Sequence, residues 1–257
     1  MSKKINLSIE ARTLSKRLPQ KVLRKIKNRS MLELLIQKCK KSKLIDEIIV
    51  STTINPQDDV IAEITKKSNV KLFRGSELDV LGRVCETHVK FKSEIVVELT
   101  GDNPLQDPEI IDECIDKFLS TKVDFLNNGA LDDSRSYPDG MDVAVFSINT
   151  LLDVEKKTRE YEKALNLSKV KKVLKNSYQN EHNRFREHVI LFMKTSGLYS
   201  TLCLHPKDKD LMRPELSFTV DTLRDFQFIE KIVEKFDNID FSLKDIIKVI
   251  DKYKILH

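Results

Sequence analysis

The sequence contains no tryptophan and only five tyrosines. Aromatic side chains interleaved with basic ones, the pattern that stacks bases, are therefore missing, which argues against a nucleic-acid partner. Its four cysteines, Cys39, Cys85, Cys114 and Cys203, stand far apart with no C-x-x-C pair and no histidine at zinc-finger spacing. They read as reduced thiols in apolar patterns, not as a disulfide framework or a zinc site. No run approaches the ~20 consecutive apolar residues of a membrane span, and the basic N-terminus is not followed by an apolar signal region. A cytoplasmic chain without membrane contact is expected. The phosphate-cradling pattern G-x-x-x-x-G-K-[ST] and the dinucleotide fingerprint G-x-G-x-x-G are both absent.

What is present is 257 residues, 40% hydrophobic and 33% charged. That suffices for one large domain over residues 1–257. The net charge of +5 conceals a local imbalance, since seven residues between Lys16 and Arg29 are basic and none is acidic. Such a run is either a solvated face or a polyanion site, and a small polyphosphate suits it better than nucleic acid.

Apolar strand patterns alternate with amphipathic helix patterns along the first half of the chain. Lys4 to Ile9 reads as a strand followed by a basic loop, and Ser30 with Glu33 three residues on is a capping box for the next helix. Glu47 to Thr52, Val70 to Phe73, Glu94 to Leu99 and Asp124 to Asn127 read as further strands, with helices between them. The alternation predicts an α/β fold with a mostly parallel sheet and helices on both faces. From Gly129 the pattern changes. A polar loop leads to a strand at Met141 to Ser147, and the charged stretch from Leu151 to about His182 reads as a helical annex spanning about 148–185. Leu198 to Leu204 and Leu216 to Val220 are expected strands, and two amphipathic helices close the chain.

In open α/β sheets ligands sit beyond the carboxyl ends of the strands, which directs attention to three loops. In the first, Glu10 to Lys21, the side chains of Arg12, Arg17 and Lys21 can converge on a triphosphate. In the second, Thr100-Gly101-Asp102-Asn103-Pro104-Leu105, Asp102 is either a turn residue or a magnesium ligand. In the third, Phe218-Thr219-Val220-Asp221-Thr222, Asp221 is either a helix N-cap or a second carboxylate for the same metal.

Together these loops resemble the acid-sugar cytidylyltransferases, whose members include the CMP-sialate and CMP-Kdo synthetases and the spore-coat-polysaccharide group. The resemblance rests on the A-R-x-x-S-x-R-L-P-x-K loop from Ala11 to Lys21, on Phe73-Arg74-Gly75-Ser76 with Asp79 to Arg83, and on Thr100 to Leu105. Tyr137 to Asp142, Arg186-Glu187-His188-Val189 and Thr219 to Thr222 extend it to nearly the whole chain. It implies a Rossmann-like nucleotidyltransferase fold that binds CTP with Mg2+ and moves CMP to a sugar-type, acidic acceptor in glycan or polysaccharide biosynthesis. Arg12, Arg17 and Lys21 are implied as catalytic, and Ala11, Arg12, Ser15, Arg17, Lys21, Arg74 and Asp102 as the nucleotide site. Asp102 and Asp221 would hold the metal, and Asp139, Asp142, Arg186 and His188 would bind the acceptor. The family also implies a homodimer, which a light-scattering mass of one chain would refute. The spore-coat group carries glycine where Leu14 and Gln20 stand, so a less close approach of backbone to phosphate is expected here. Two other functions compete: a glycosyltransferase of the nucleotide-sugar-binding fold, and a nucleotide-binding member without catalysis.

Overall fold

The computed structural model describes residues 3–129, 135–167 and 185–256. Strand β1 (Ile5–Glu10) is followed by the basic loop, a small antiparallel hairpin of β2 (Lys25–Ile26) and β3 (Arg29–Ser30), and helix α1 (Met31–Cys39). Ser30 forms the expected capping box: its Oγ accepts from the Glu33 amide at 3.2 Å while its own amide donates to the Glu33 carboxylate at 2.7 Å. Such a cap contributes about 1 kcal/mol. Then come β4 (Glu47–Thr53), α2 (Asp59–Lys67), β5 (Lys71–Gly75), α3 (Val80–Lys90), β6 (Ile95–Thr100) and α4 (Pro108–Leu119). The second half holds β7 (Phe125–Asn127), β8 (Ala144–Ser147), α5 (Ile148–Leu167), α6 (Leu191–Thr195), β9 (Thr201–Cys203), α7 (Leu223–Val233) and α8 (Leu243–Tyr253).

The sheet runs β5-β4-β1-β6-β8-β7-β9. Its pairings are parallel except where β8 runs against β6 and β7. The chain winds outward from β1 through β4 to β5 and returns to β6 on the other side of β1. The carboxyl ends of β1 and β6 therefore flank the switch point at which such sheets bind ligands. Period-two alternation divides β6 between two cores. Val97 and Leu99 join Leu7, Ile9, Leu34 and Ile111 on one face, while Val96 packs with Leu81, Val84, Phe146 and Leu151 on the other. The thiols of Cys39, Cys85 and Cys114 are buried, as core residues should be.

Two expectations need correction. Leu216 to Val220 is not a strand, because its hydrogen bonds go to loops. The Asp139 amide donates to the Leu216 carbonyl at 3.0 Å, the Phe218 amide to Asp139 at 2.7 Å, and the Val220 amide to Asp102 at 3.0 Å. Only an isolated bridge between Asp139 and Ser217 results. Gly140, with φ of 86°, makes the approach possible, since a Cβ there would stand 2.7 Å from the Phe218 and Thr219 backbone. Similarly, Leu198 to Leu204 shortens to β9. Of the charged stretch, α5 carries the helix to Leu167, and residues 168–184 lie outside the described ones.

His88 on α3 is wholly buried, with Nδ1 2.8 Å from Ser93 Oγ and Nε2 unpartnered, and burial pushes its pKa down to about 3. Below about pH 6.5 the unfolded chain gains a proton that the native ring refuses until about pH 3. Stability should thus fall on acidification across that window by about 1.4 kcal/mol per pH unit from this group. Urea melts between pH 6 and pH 4 should show a shallower decline for His88→Gln than for the parent chain. Equal slopes would remove the histidine from the account.

Candidate active site

The basic loop after β1 is held in shape by its own hydrogen bonds. Thr13 donates to Asp58 from its amide at 2.8 Å and its hydroxyl at 2.6 Å, and the Gln20 amide closes the loop on the Thr13 carbonyl at 2.9 Å. Leu18 and Val22 are buried as anchors. Gln20 has φ of 57°, the left-handed region that glycine occupies without strain, which accounts physically for a glycine at this position. Leu14 is absent from the positive-φ residues, so its backbone has no need of glycine; its half-exposed side chain lines the cleft.

Lys21 reaches from this loop to both strand-end carboxylates. Its Nζ stands 2.8 Å from Asp102 Oδ2 and 3.0 Å from Asp221 Oδ1. Arg17 adds a contact at 2.7 Å to Asp221 Oδ2. The lysine side chain is 14% exposed and the arginine 67%. Gly101 brings Asp102 in beside the end of β1, where a Cβ would meet the Glu10 carbonyl at 2.7 Å. Asp221 is not the cap of α7: Thr222 is, with Asp225 completing the capping box. The carboxylate of Asp221 is thereby available to the site.

These groups line a cleft of about 720 Å³ together with Arg12, Ser15 and Glu77. Arg12 lies between Glu77 and Glu187, 3.8 Å from each, so its guanidinium is loosely held. Ala11 is buried at the cleft wall, its amide 3.2 Å from the Ser51 carbonyl. Arg74 does not line the cleft. Its guanidinium donates to the Thr53 and Asn55 carbonyls at 2.8 Å and pairs with Asp59 at 2.6 Å, tying β5 to the end of β4.

A magnesium ion is compatible with the carboxylates. Oδ1 of Asp102 is buried with no hydrogen-bond partner, and Asp221 faces the same lysine nitrogen as Asp102. Among the described residues no three His, Cys, Asp or Glu side chains form a metal group by themselves. A cation held by two carboxylates and completed by phosphate oxygens is the kind of site that magnesium uses.

A second pocket of about 290 Å³ adjoins the cleft and shares Glu10, Asp102 and His188 with it. Asp139 and Asp142 line this pocket. Arg186 does not. It is buried against Thr158, Glu155 and Asp79, pinning α5 to the start of α3. In its place the pocket presents Arg135, 2.8 Å from Asp142, and Lys194. Glu10 and Glu98 also line it. Burial and then the facing Glu98 hold Glu10 well above the usual carboxylate range, and burial raises Glu98 as well. Sequence reasoning passed over both. The signal was there in Glu98, a lone carboxylate inside the apolar run Ile95-Val96-Val97-Glu98-Leu99.

The strand order, the cationic loop and the paired carboxylates together form a charged cleft at the switch point of the sheet. A family model described as cytidylyltransferase matches residues 8–248. The uncharacterized protein MJ1063 of Methanocaldococcus jannaschii is 34% identical over 95% of this chain and 89% of its own. The spore coat polysaccharide biosynthesis protein SpsF of Bacillus subtilis is 26% identical, over 95% of this chain and 92% of its own. A cytidylyltransferase structure from Leptospira borgpetersenii superposes with a TM-score of 0.82 at 26% identity, covering 98% of this chain and 96% of that one. The chain belongs to the cytidylyltransferase family.

Proposed function

We propose that the protein transfers CMP from CTP to a hydroxyl of a sugar-type acceptor and releases pyrophosphate, in the assembly of a polysaccharide or surface glycan. The observation that carries this reading is the convergence of Lys21 and Arg17 on Asp102 and Asp221 at the switch point of the sheet. The Bacillus relative, a spore coat polysaccharide biosynthesis protein, supports the biosynthetic role.

In the reaction, an acceptor oxygen attacks the α-phosphorus in line, an O–P bond forms, and the bond to the leaving pyrophosphate breaks. Arg12, Arg17 and Lys21 bind the β- and γ-phosphates and neutralise the charge that grows on them. The fixed shape of the loop, closed by Gln20 and Thr13, orients those cations before the nucleotide arrives. Held by Asp102 and Asp221, magnesium would supply charge stabilisation to the phosphoryl oxygens. The adjoining pocket receives the acceptor, and Asp139, Asp142 and His188 lie where they can orient its hydroxyls.

A thermal-shift screen of the four nucleoside triphosphates, with and without magnesium, tests the nucleotide. CTP with magnesium at 100 times its dissociation constant should add about 2.7 kcal/mol to stability. A larger shift with another triphosphate would displace CTP from this reading. Pyrophosphate release separates nucleotidyl transfer from sugar transfer, which consumes no free triphosphate.

A further inference from the structure

The carboxylate pair that suits a divalent cation already faces cations of the chain itself. Lys21 Nζ bridges the two aspartates, 2.8 Å from Asp102 Oδ2 and 3.0 Å from Asp221 Oδ1, and Arg17 Nη2 takes the other oxygen of Asp221 at 2.7 Å. Three of the four carboxylate oxygens thus meet nitrogen, while the fourth, Asp102 Oδ1, is buried with no hydrogen-bond partner. Two negative charges stand against two positive ones, and the pair is neutralised from within. A metal ion shared by the same two oxygens competes with the ammonium for their lone pairs, and positive charges at such range repel.

The lysine can leave without disturbing its loop. Its backbone is fixed by its own amide, which donates to the Leu18 carbonyl at 3.2 Å, and by the Gln20 amide on Thr13 at 2.9 Å. The ammonium itself stands at the end of a flexible aliphatic stem and acts as a point charge without a fork geometry to satisfy. It opens on the same cleft as Arg12, Ser15 and Lys16. A triphosphate seated there brings more negative charge than the two aspartates together, and its oxygens accept charge-assisted hydrogen bonds as carboxylates do. Arg17, largely exposed and holding one carboxylate, yields more easily than Lys21.

We infer that Lys21, seconded by Arg17, is a counter-ion latch: the aspartate pair admits a divalent cation only when a polyphosphate has drawn the ammonium off it. The inference rests on the nucleotide-site reading and adds an order to it, in which metal enters with or after the nucleotide and not before. Coupling between two ligands is reciprocal, so the nucleotide tightens metal binding by the factor by which metal tightens the nucleotide. A lysine that bound phosphate and did nothing more would leave metal affinity in the nucleotide-free chain independent of residue 21. The latch makes that affinity depend on the charge there.

The test is a titration of the full, nucleotide-free chain with Mn2+, a paramagnetic stand-in for magnesium, the unbound ion being counted by electron paramagnetic resonance. Lys21→Gln, which removes the charge and keeps a polar side chain, should bind Mn2+ at least about tenfold more tightly than the parent chain. Lys21→Arg keeps a charge and should stay near the parent, and Lys21→Gln combined with Asp102→Asn should lose the gain. Circular dichroism verifies the fold of each variant. Equal Mn2+ affinity in the parent and Lys21→Gln, or a gain that survives Asp102→Asn, overturns the latch. Calorimetry of the parent chain with CTP in EDTA is an independent check. Nucleotide should bind without metal, whereas nucleotide binding only after Mn2+ has bound by itself overturns the order. Failure of CTP to bind with or without magnesium defeats the nucleotide reading, and a gain of Mn2+ affinity in Lys21→Gln would still show that Lys21 shuts the carboxylate pair.

Discussion

Lys21→Ala is expected to lower CMP transfer by on the order of 10²- to 10³-fold, the loss that follows removal of a positioned donor from a developing anionic charge. The fold should be unchanged by circular dichroism. Lys21 is the cation that meets both strand-end carboxylates, and it is largely shielded from solvent, so its charge acts in a medium where it is worth more than in water. Arg17 makes a single contact from an exposed position, and Arg17→Ala should cost roughly tenfold less than the lysine change. Lys25, exposed on the short hairpin, is the proper control, and Lys25→Ala should leave turnover intact. Lys27 is a poorer control than its place in the basic run suggests, because its ammonium donates to the Phe236 carbonyl. Pyrophosphate release under saturating CTP measures all three. Equal and mild losses at Arg17, Lys21 and Lys25 would reduce the run to a general basic surface.

Asp221→Asn is expected to reduce turnover by about 10²-fold or more while shifting stability by no more than about 0.5 kcal/mol. The two effects separate because capping of α7 belongs to Thr222 and Asp225, not to Asp221. An amide at this position retains the shape, loses the negative charge facing Lys21 and Arg17, and weakens a cation ligand. Asp102→Asn should behave alike in turnover. Wild-type turnover in Asp221→Asn would leave the residue with no part in the chemistry.

The elements that position the site were legible because their signals are local. Ser30 and Glu33 announce a helix start through a three-residue spacing, and the buried strand before Thr100-Gly101-Asp102 is an apolar run ended by a turn. The cap of α7 was legible too, since Thr222 and Asp225 have capping-box spacing, although Asp221 beside them drew the assignment. What escaped depends on partners far away in the chain. Nothing near Arg186 shows that Asp79, 107 residues earlier, will claim its guanidinium. Nor does a local pattern reveal that Glu10 and Glu98 meet, because that follows from the pairing of β1 with β6. The antiparallel setting of β8 is likewise a decision of the sheet as a whole.

The bond between Lys21 and Asp221 spans 200 residues of sequence. Contacts of such separation form late in folding, since the entropy of closing the intervening loop must be met before they return anything. A chain emerging from the ribosome amino-terminus first has its basic loop and Asp102 made long before the segment carrying Asp221 exists. Through that interval the cationic loop lacks one of its two carboxylate partners, and the Asp102 carbonyl lacks the Val220 amide that docks the two segments. Completion of the site therefore follows completion of the sheet, whose last strand ends at Cys203, so translation products that stop before Asp221 carry the cationic loop without its second carboxylate.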